Sequence, residues 1–461
     1  MTLQVQPVPV VLTGLDRLVR GDGPDLRGRP VALLCHPASV DAQLRHAREL
    51  VTGPIGARLV SLLGPAHGLD AAAQDMETVA QGTGPKEHVP TYSLYGDTFA
   101  SLSPSPAMLH EAQWLVIDLQ DVGARYYTYV WTAVLAAEVA LAAGCKVLLL
   151  DRPNPLGGLA AWVEGGAIVA GQESFVGLHD VAVRHGMTLG ELARMAMIER
   201  GRAPMAGLEL LACSGWRRSM LFPATGLPWV LPSPNMPTFE TALVYPGQCL
   251  LEGTNLSEGR GSTRPFEIFG APWLDGQALA AALRAEPEAT PGLGLRPLTF
   301  KPTFQKFAGQ RCGGLQLHVL APTEVRSLQT SWALLKAAWR LGQGSMRWRT
   351  EVYEFVADRP ALDLPKNDAR GLGQPAPQPE ALGQGALEVR GGGRTHGFGH
   401  RRIRCAVHGA PGAQQRGQQA HADAGQNHRN GQAEVQKRKA EIGLVHGRQR
   451  RAQPRAGGHA Q

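Results

Sequence analysis

A chain of 461 residues with 43% hydrophobic content can bury the cores of two or three domains, and no run in it approaches the roughly 18–20 apolar residues of a membrane-spanning helix. Its net charge of +7 is uneven: residues 366–461 hold 16 Lys and Arg against 6 Asp and Glu, which leaves 30 against 33 over residues 1–365. A slightly acidic globular part therefore carries a basic tail, and the six cysteines (Cys35, Cys145, Cys213, Cys249, Cys312 and Cys405) lack the CxxC or zinc-like spacing of a metal site or disulfide scaffold.

The first residues, MTLQVQPVPVVLTGLDRL, have no basic region before their short, proline-interrupted apolar stretch. A secretory signal is not expected, and reduced thiols agree with a cytoplasmic location. Four apolar runs follow, VALLCH (31–36), ARLVSLLG (57–64), WLVIDLQ (114–120) and KVLLLD (146–151). Rich in leucine and β-branched residues and without strict alternation, they predict buried parallel strands. Helix-like segments near 42–51 and 130–143 lie between them, so the expected fold class is α/β, a Rossmann-like, mostly parallel sheet over residues 8–236. Ligands of such sheets lie beyond the carboxyl ends of the strands. The residues at those ends are His36, Pro65 and His67, Asp118, Gln120 and Asp121, and Asp151, Arg152 and Asn154. No GxGxxG turn follows the first strand and no GxxxxGK[ST] occurs, so neither a dinucleotide nor a nucleoside triphosphate is indicated.

Past residue 237 the pattern changes. A long segment over 245–273 crowds Glu252, Asn255, Glu258, Arg260, Arg264 and Glu267 among five glycines with almost no periodicity, as a ligand-contacting loop does. A helix near 276–285, a strand at 314–319 and a helix near 325–341 then predict a second, smaller α/β domain over 237–365. A cleft between two such domains is the expected binding site. The tail at 366–461 has one aromatic residue, Phe398, and is dominated by Gly, Gln, Ala, Arg and His. It is expected to be disordered, with nonspecific polyanion affinity at most and no specific nucleic-acid partner.

Three motifs place polar groups where a packed scaffold does not need them. DLQDVGARYYTY (118–129) carries Asp121, Arg125 and Tyr127 just past a buried strand, LDRPNPLGG (150–158) carries Asp151 and Asn154, and PSPNMPT (232–238) presents Asn235 on a proline-fixed loop. The bland reading of the first is Asp121 capping the next helix with Arg125 as its ion-pair partner, and of the second a turn-stabilising Asp151–Arg152 pair.

Together with GPAHG (64–68), QDMETV (74–79), SLYG (93–96), SFVG (174–177), RHGMTLGELA (184–193), LPWVLPSPNMPT (227–238) and the 245–273 segment, these motifs resemble, in order, the exo-β-N-acetylmuramidase family of peptidoglycan glycosidases. The resemblance covers about residues 10–365. It implies removal of N-acetylmuramic acid from the non-reducing end of peptidoglycan-derived sugars, without metal or cofactor. Glycoside hydrolysis generally uses two carboxyl groups, and on the matching motifs these are Asp121, Glu252 and Glu258, with acid and nucleophile left unassigned. Members of the family commonly carry Glu or Gln at the middle of the GPAHG turn. Here Ala66 stands there and cannot transfer a proton, with Asp75 and Glu77 the nearest substitutes. A bidentate guanidinium matches the lactyl carboxylate of the sugar, making Arg125 and Arg260, then Arg264, the candidates for it. Tyr127, Asp151, Asn154, Asn235 and Asn255 are candidates for sugar hydroxyls and the N-acetyl group, and His67 and His185 for binding or proton transfer. The resemblance lapses after residue 364, where the switch to Gly/Arg/Gln/His-rich sequence is what a shifted reading frame of a GC-rich gene would produce.

Overall fold

Seven segments pair into one sheet: β1 (Pro30–Cys35), β2 (Arg58–Gly64), β3 (Gly82–Thr83), β4 (Pro90–Ser93), β5 (Trp114–Asp118), β6 (Lys146–Leu150) and β7 (Leu208–Leu211). The structure is a computed structural model that describes residues 11–350 apart from 67, 69–81, 84–88, 97, 167, 169–172 and 202–205. Strand order is β3-β4-β2-β1-β5-β6-β7, parallel from β4 to β7, with the two-residue β3 antiparallel at the edge. All four strands expected from the apolar runs are present. They are continuous in hydrophobicity because both faces are covered: Ala32, Leu34, Leu115 and Ile117 enter one core, and Val31, Leu33, Cys35 and Val116 the other.

On the second face lie α1 (Gly14–Val19) and α2 (Ala47–Thr52), whose Leu15, Leu18, Leu50 and Val51 join that core. Against the first face pack α3 (Tyr129–Ala142) and α4 (Leu189–Glu199). Thr188 and Glu191 close a capping box at the start of α4. The helix expected over 42–51 begins only at Ala47. Before it the Asp41 carboxylate accepts the Gln43 and Arg45 N–H groups, and Leu44 takes a left-handed φ of 63°, so those residues form a turn.

The second lobe comprises α5 (Phe239–Gln248), β8 (Ile268–Ala271), α6 (Gly276–Arg284), β9 (Leu293–Phe300), β10 (Cys312–Val319) and α7 (Ser327–Leu341). Its antiparallel sheet runs β8-β10-β9. The segment over 245–273 is thus less irregular than its glycines imply. Its first four residues complete α5, a single 3-10 turn spans Cys249–Gly253, and its end is β8. Pro246 and Gly247 hid that helix, and Gly247 is needed because a Cβ there would run into the Ser327 carbonyl of α7. The edge strand β9 was masked by Pro297.

Glu164 and Arg184 join the lobes. The Glu164 carboxylate accepts the Ser327 and Leu328 N–H groups at 3.2 and 3.0 Å, acting as the anionic cap of α7, while buried Arg184 donates to the Val325 and Leu156 carbonyls and lies 3.5 Å from Glu164. Glu164→Ala removes the cap and leaves Arg184 buried without its counter-ion. We expect a loss of about 2–4 kcal/mol in urea unfolding, and a smaller loss in Glu164→Gln, which retains one acceptor.

Candidate active site at the carboxyl ends of the strands

The chain leaves β1 toward β2 and β4 on one side, and β5 leads to β6 and β7 on the other, so the strand order reverses between β1 and β5. A crevice at such a switch point is where open α/β sheets bind ligands. His36, directly after β1, is buried there. The Gln120 N–H donates to its Nε2 at 2.8 Å, which leaves the proton on Nδ1, 3.3 Å from the Pro232 carbonyl. Tyr129 packs edge-on against His36 and donates its hydroxyl to the carbonyls of Pro232 (2.6 Å) and Ala66 (3.2 Å). One phenol and one imidazole thereby tie the turn holding Ala66, the end of β5 and the Asn235 loop into a single floor, with Asn235 itself buried.

Beneath this floor Arg152 grips Asp118 with two parallel bonds, Nε to Oδ1 at 2.6 Å and Nη2 to Oδ2 at 2.8 Å, both side chains buried. The expected Asp151–Arg152 turn pair is therefore not formed through the guanidinium. Asp151 instead accepts the Thr188 hydroxyl and the N–H groups of Gly190 and Arg152, anchoring the start of α4. Burial is the main cause that pushes its carboxyl up to about 6 against those donors. A carboxyl raised in the folded state gives stability that is complete below its ordinary value near 3.8 and is lost as pH rises through about 6. Between about pH 4 and pH 6.5 the stability of the wild type relative to Asp151→Asn is expected to fall by up to about 3 kcal/mol, measurable by urea titration at each pH.

Asp121 differs from the other described carboxylates of this region. Its Oδ2 accepts the Gly123 N–H at 2.6 Å and lies 3.4 Å from His185 Nε2, whereas its Oδ1 is buried and meets no hydrogen-bond partner among the described residues. His185 Nε2 is likewise without a hydrogen bond of good geometry. Gly123 has a φ of 81°, and a Cβ there would collide with the Asn154 side chain, so the residue that turns its N–H onto Asp121 is necessarily glycine. Asn154 serves this turn as well, accepting from Leu156 N–H and donating to the Met187 carbonyl. Tyr127 lies near Ser233 and Tyr129 without a well-formed bond to either. Its hydroxyl is held well above the usual phenol range by burial first, then by Tyr129 and by the Asp121 charge. Asp121 caps no helix, and Arg125 is not its partner: Arg125 Nη1 donates to the carbonyls of Gly166 and Val181.

An aromatic series crosses to the second lobe, from Tyr129 to Tyr127 (4.6 Å between centroids), to Tyr245 (6.1 Å) and to Phe266 (4.9 Å), with the Arg260 guanidinium 5.1 Å above the Phe266 ring. Here charge neutralises charge. Arg260 bonds Glu252 at 2.7 Å and lies 3.5 Å from Glu258, and Lys306 bonds Glu258 at 2.9 Å while donating to the carbonyls of Leu251, Glu252 and Leu256. Glu252 and Glu258 thus meet cations inside the protein, and Arg260 meets carboxylates. Asn255 pairs with the backbone of Ser345 and Arg347. Arg264 is more open: 43% of its side chain is exposed, and its contacts with Glu267 and Thr238 are at 3.4–3.5 Å. His67, Asp75 and Glu77 lie outside the described residues.

Among the described residues no cluster of His, Cys, Asp and Glu could hold a metal ion, and no helix is long and apolar enough to cross a membrane. Sequence reasoning gave no role to His36, Tyr129 or Glu164, and paired Arg152 with its neighbour Asp151. His36 was visible only as a strand-end residue, and the partners of His36 and Arg152 are 84 and 34 positions away.

The family model described as exo-beta-N-acetylmuramidase NamZ, N-terminal, matches residues 31–240, and its C-terminal counterpart matches residues 243–365. The chain is 39% identical over 333 residues to the peptidoglycan beta-N-acetylmuramidase NamZ of Bacillus subtilis (strain 168), covering 72% of this chain and 78% of that protein. Crystal structures of two DUF1343 family proteins from Bacteroides fragilis are similar, at TM-scores of 0.64 and 0.55 with 32% and 25% identity; they cover 73% and 72% of this chain and 84% of each of theirs. With both family models matched across the two lobes and a relative of this identity, the chain belongs to the NamZ exo-β-N-acetylmuramidase family of glycosidases.

Proposed function

We propose that the protein releases N-acetylmuramic acid from the non-reducing end of peptidoglycan fragments, at the strand-end site around Asp121. The observation that carries this reading is the match of both family models across the two lobes, together with a curated relative that is a peptidoglycan β-N-acetylmuramidase. Asp121 is the working carboxylate, because among the described carboxylates of the region it has a buried oxygen without a donor. Arg264 is the best placed of the three arginines to take the lactyl carboxylate, since Arg125 and Arg260 are engaged by carbonyls and carboxylates. Incubation with a disaccharide bearing N-acetylmuramic acid at its non-reducing end is expected to release that sugar, whereas one ending in N-acetylglucosamine stays intact. Absence of both hydrolysis and binding of the first disaccharide would contradict the assignment.

Ala66 favours a second reading, a sugar-binding relative with impaired turnover. Its carbonyl is held by Tyr129, and its methyl group belongs to the apolar core. General acid catalysis contributes about 10²–10⁴-fold. Ala66→Glu is therefore expected to raise kcat by about 10²-fold or more with calorimetric affinity for N-acetylmuramic acid little changed. Unchanged kcat in that variant would show that no acid is missing from the turn.

A further inference from the structure

Asp121 and His185 come from motifs 64 positions apart and are both buried, yet neither is paired with an arginine or lysine among the described residues. The imidazole is oriented from its other side. The Met187 N–H donates to His185 Nδ1 at 3.2 Å, so that nitrogen carries no proton and the neutral ring holds its proton on Nε2, the atom facing Asp121 Oδ2 at 3.4 Å. Gly123 N–H reaches the same oxygen at 2.6 Å. Oδ2 thus accepts one backbone N–H and faces the ring nitrogen of His185 across 3.4 Å without a formed hydrogen bond, and Oδ1 is left as the acceptor without a protein donor among the described residues.

We propose that His185 is a positioning residue for Asp121: its Nε2–H tautomer, fixed by the Met187 backbone, holds Oδ2 and reserves Oδ1 for substrate. This rests on the reading of the site as a muramidase site and deepens it, because it gives the two groups different tasks. A carboxylate whose one oxygen accepts a backbone N–H and faces a ring N–H acts as the charge-bearing acceptor, not as the proton donor to the leaving group. The proton donor then belongs to another position, and Ala66, whose carbonyl Tyr129 holds, has no group that can supply it.

Selective ¹⁵N labelling of histidine in the full chain tests the geometry without requiring turnover. The His185 signals, assigned by their loss in His185→Gln, are expected to show the Nε2–H tautomer at neutral pH, and Asp121→Asn is expected to shift the Nε2 resonance. An Nδ1–H tautomer, or His185 signals indifferent to Asp121→Asn, would overturn the proposal. Kinetics supply the second arm. His185→Leu removes the donor and is expected to lower kcat about 10- to 100-fold with KM little changed, whereas His185→Gln restores an N–H donor and recovers most of the loss. Equal impairment of the two variants would also overturn it. A protein with the expected histidine signals but no muramidase activity would refute the functional reading alone.

Discussion

Asp121→Asn is expected to lower the release of N-acetylmuramic acid by about 10²–10⁴-fold while leaving the fold intact. The substitution keeps the shape of the side chain and one oxygen, so the Gly123 N–H at 2.6 Å can still be accommodated. What it removes is the negative charge and the acceptor character of Oδ1, the buried oxygen with no donor of its own among the described residues. Removing that charge breaks no ion pair with an arginine or lysine among the described residues. Thermal unfolding should therefore shift little while kcat collapses. A variant that retains wild-type kcat would remove Asp121 from the chemistry, and the carboxylates held by Arg260 and Lys306 would have to be reconsidered.

Arg152→Met is expected to have the largest effect on stability. Asp118 is fully buried at the end of β5, and its two oxygens are held by Arg152 at 2.6 and 2.8 Å. Taking away the guanidinium leaves an uncompensated charge in the interior, a loss of about 3–5 kcal/mol. The double variant Asp118→Leu with Arg152→Met removes both charges and should recover much of that loss, since burying an ion pair repays its desolvation only in part. Equilibrium denaturation of the two variants measures the difference. If the single substitution proves as mild as the double one, the pair is not the buried anchor that the geometry describes.

The parallel strands and their order of appearance were legible in the sequence, because β1, β5 and β6 are buried on both faces and so read as unbroken apolar runs. Strands at the margins were not. β7 is four residues with an exposed Glu209, and β9 contains Pro297, so neither has the signal of a central strand. The residue types of the candidate site were also legible, from their crowding just past strand ends, whereas their tasks were not. Arg152 reaches 34 positions back to Asp118 and not to its neighbour Asp151, and Lys306 reaches 48 positions to Glu258. Glu252, Glu258 and Arg260, which look like free polar groups on a glycine-rich loop, pair locally within it and are completed as a buried ion network by the distant Lys306. The same distance dependence hid the Glu164 cap on α7, 163 positions away. Local spacing carries caps and turns, but the partner of a buried charge is chosen by topology.

The most direct measurement is product analysis by mass spectrometry after incubating a disaccharide with N-acetylmuramic acid at its non-reducing end with the wild type, Ala66→Glu and Asp121→Asn. The account predicts free N-acetylmuramic acid from the wild type, faster release from Ala66→Glu, and release reduced about 10²-fold or more in Asp121→Asn. It would be contradicted if Asp121→Asn released the sugar as fast as the wild type, or if neither the wild type nor Ala66→Glu released any.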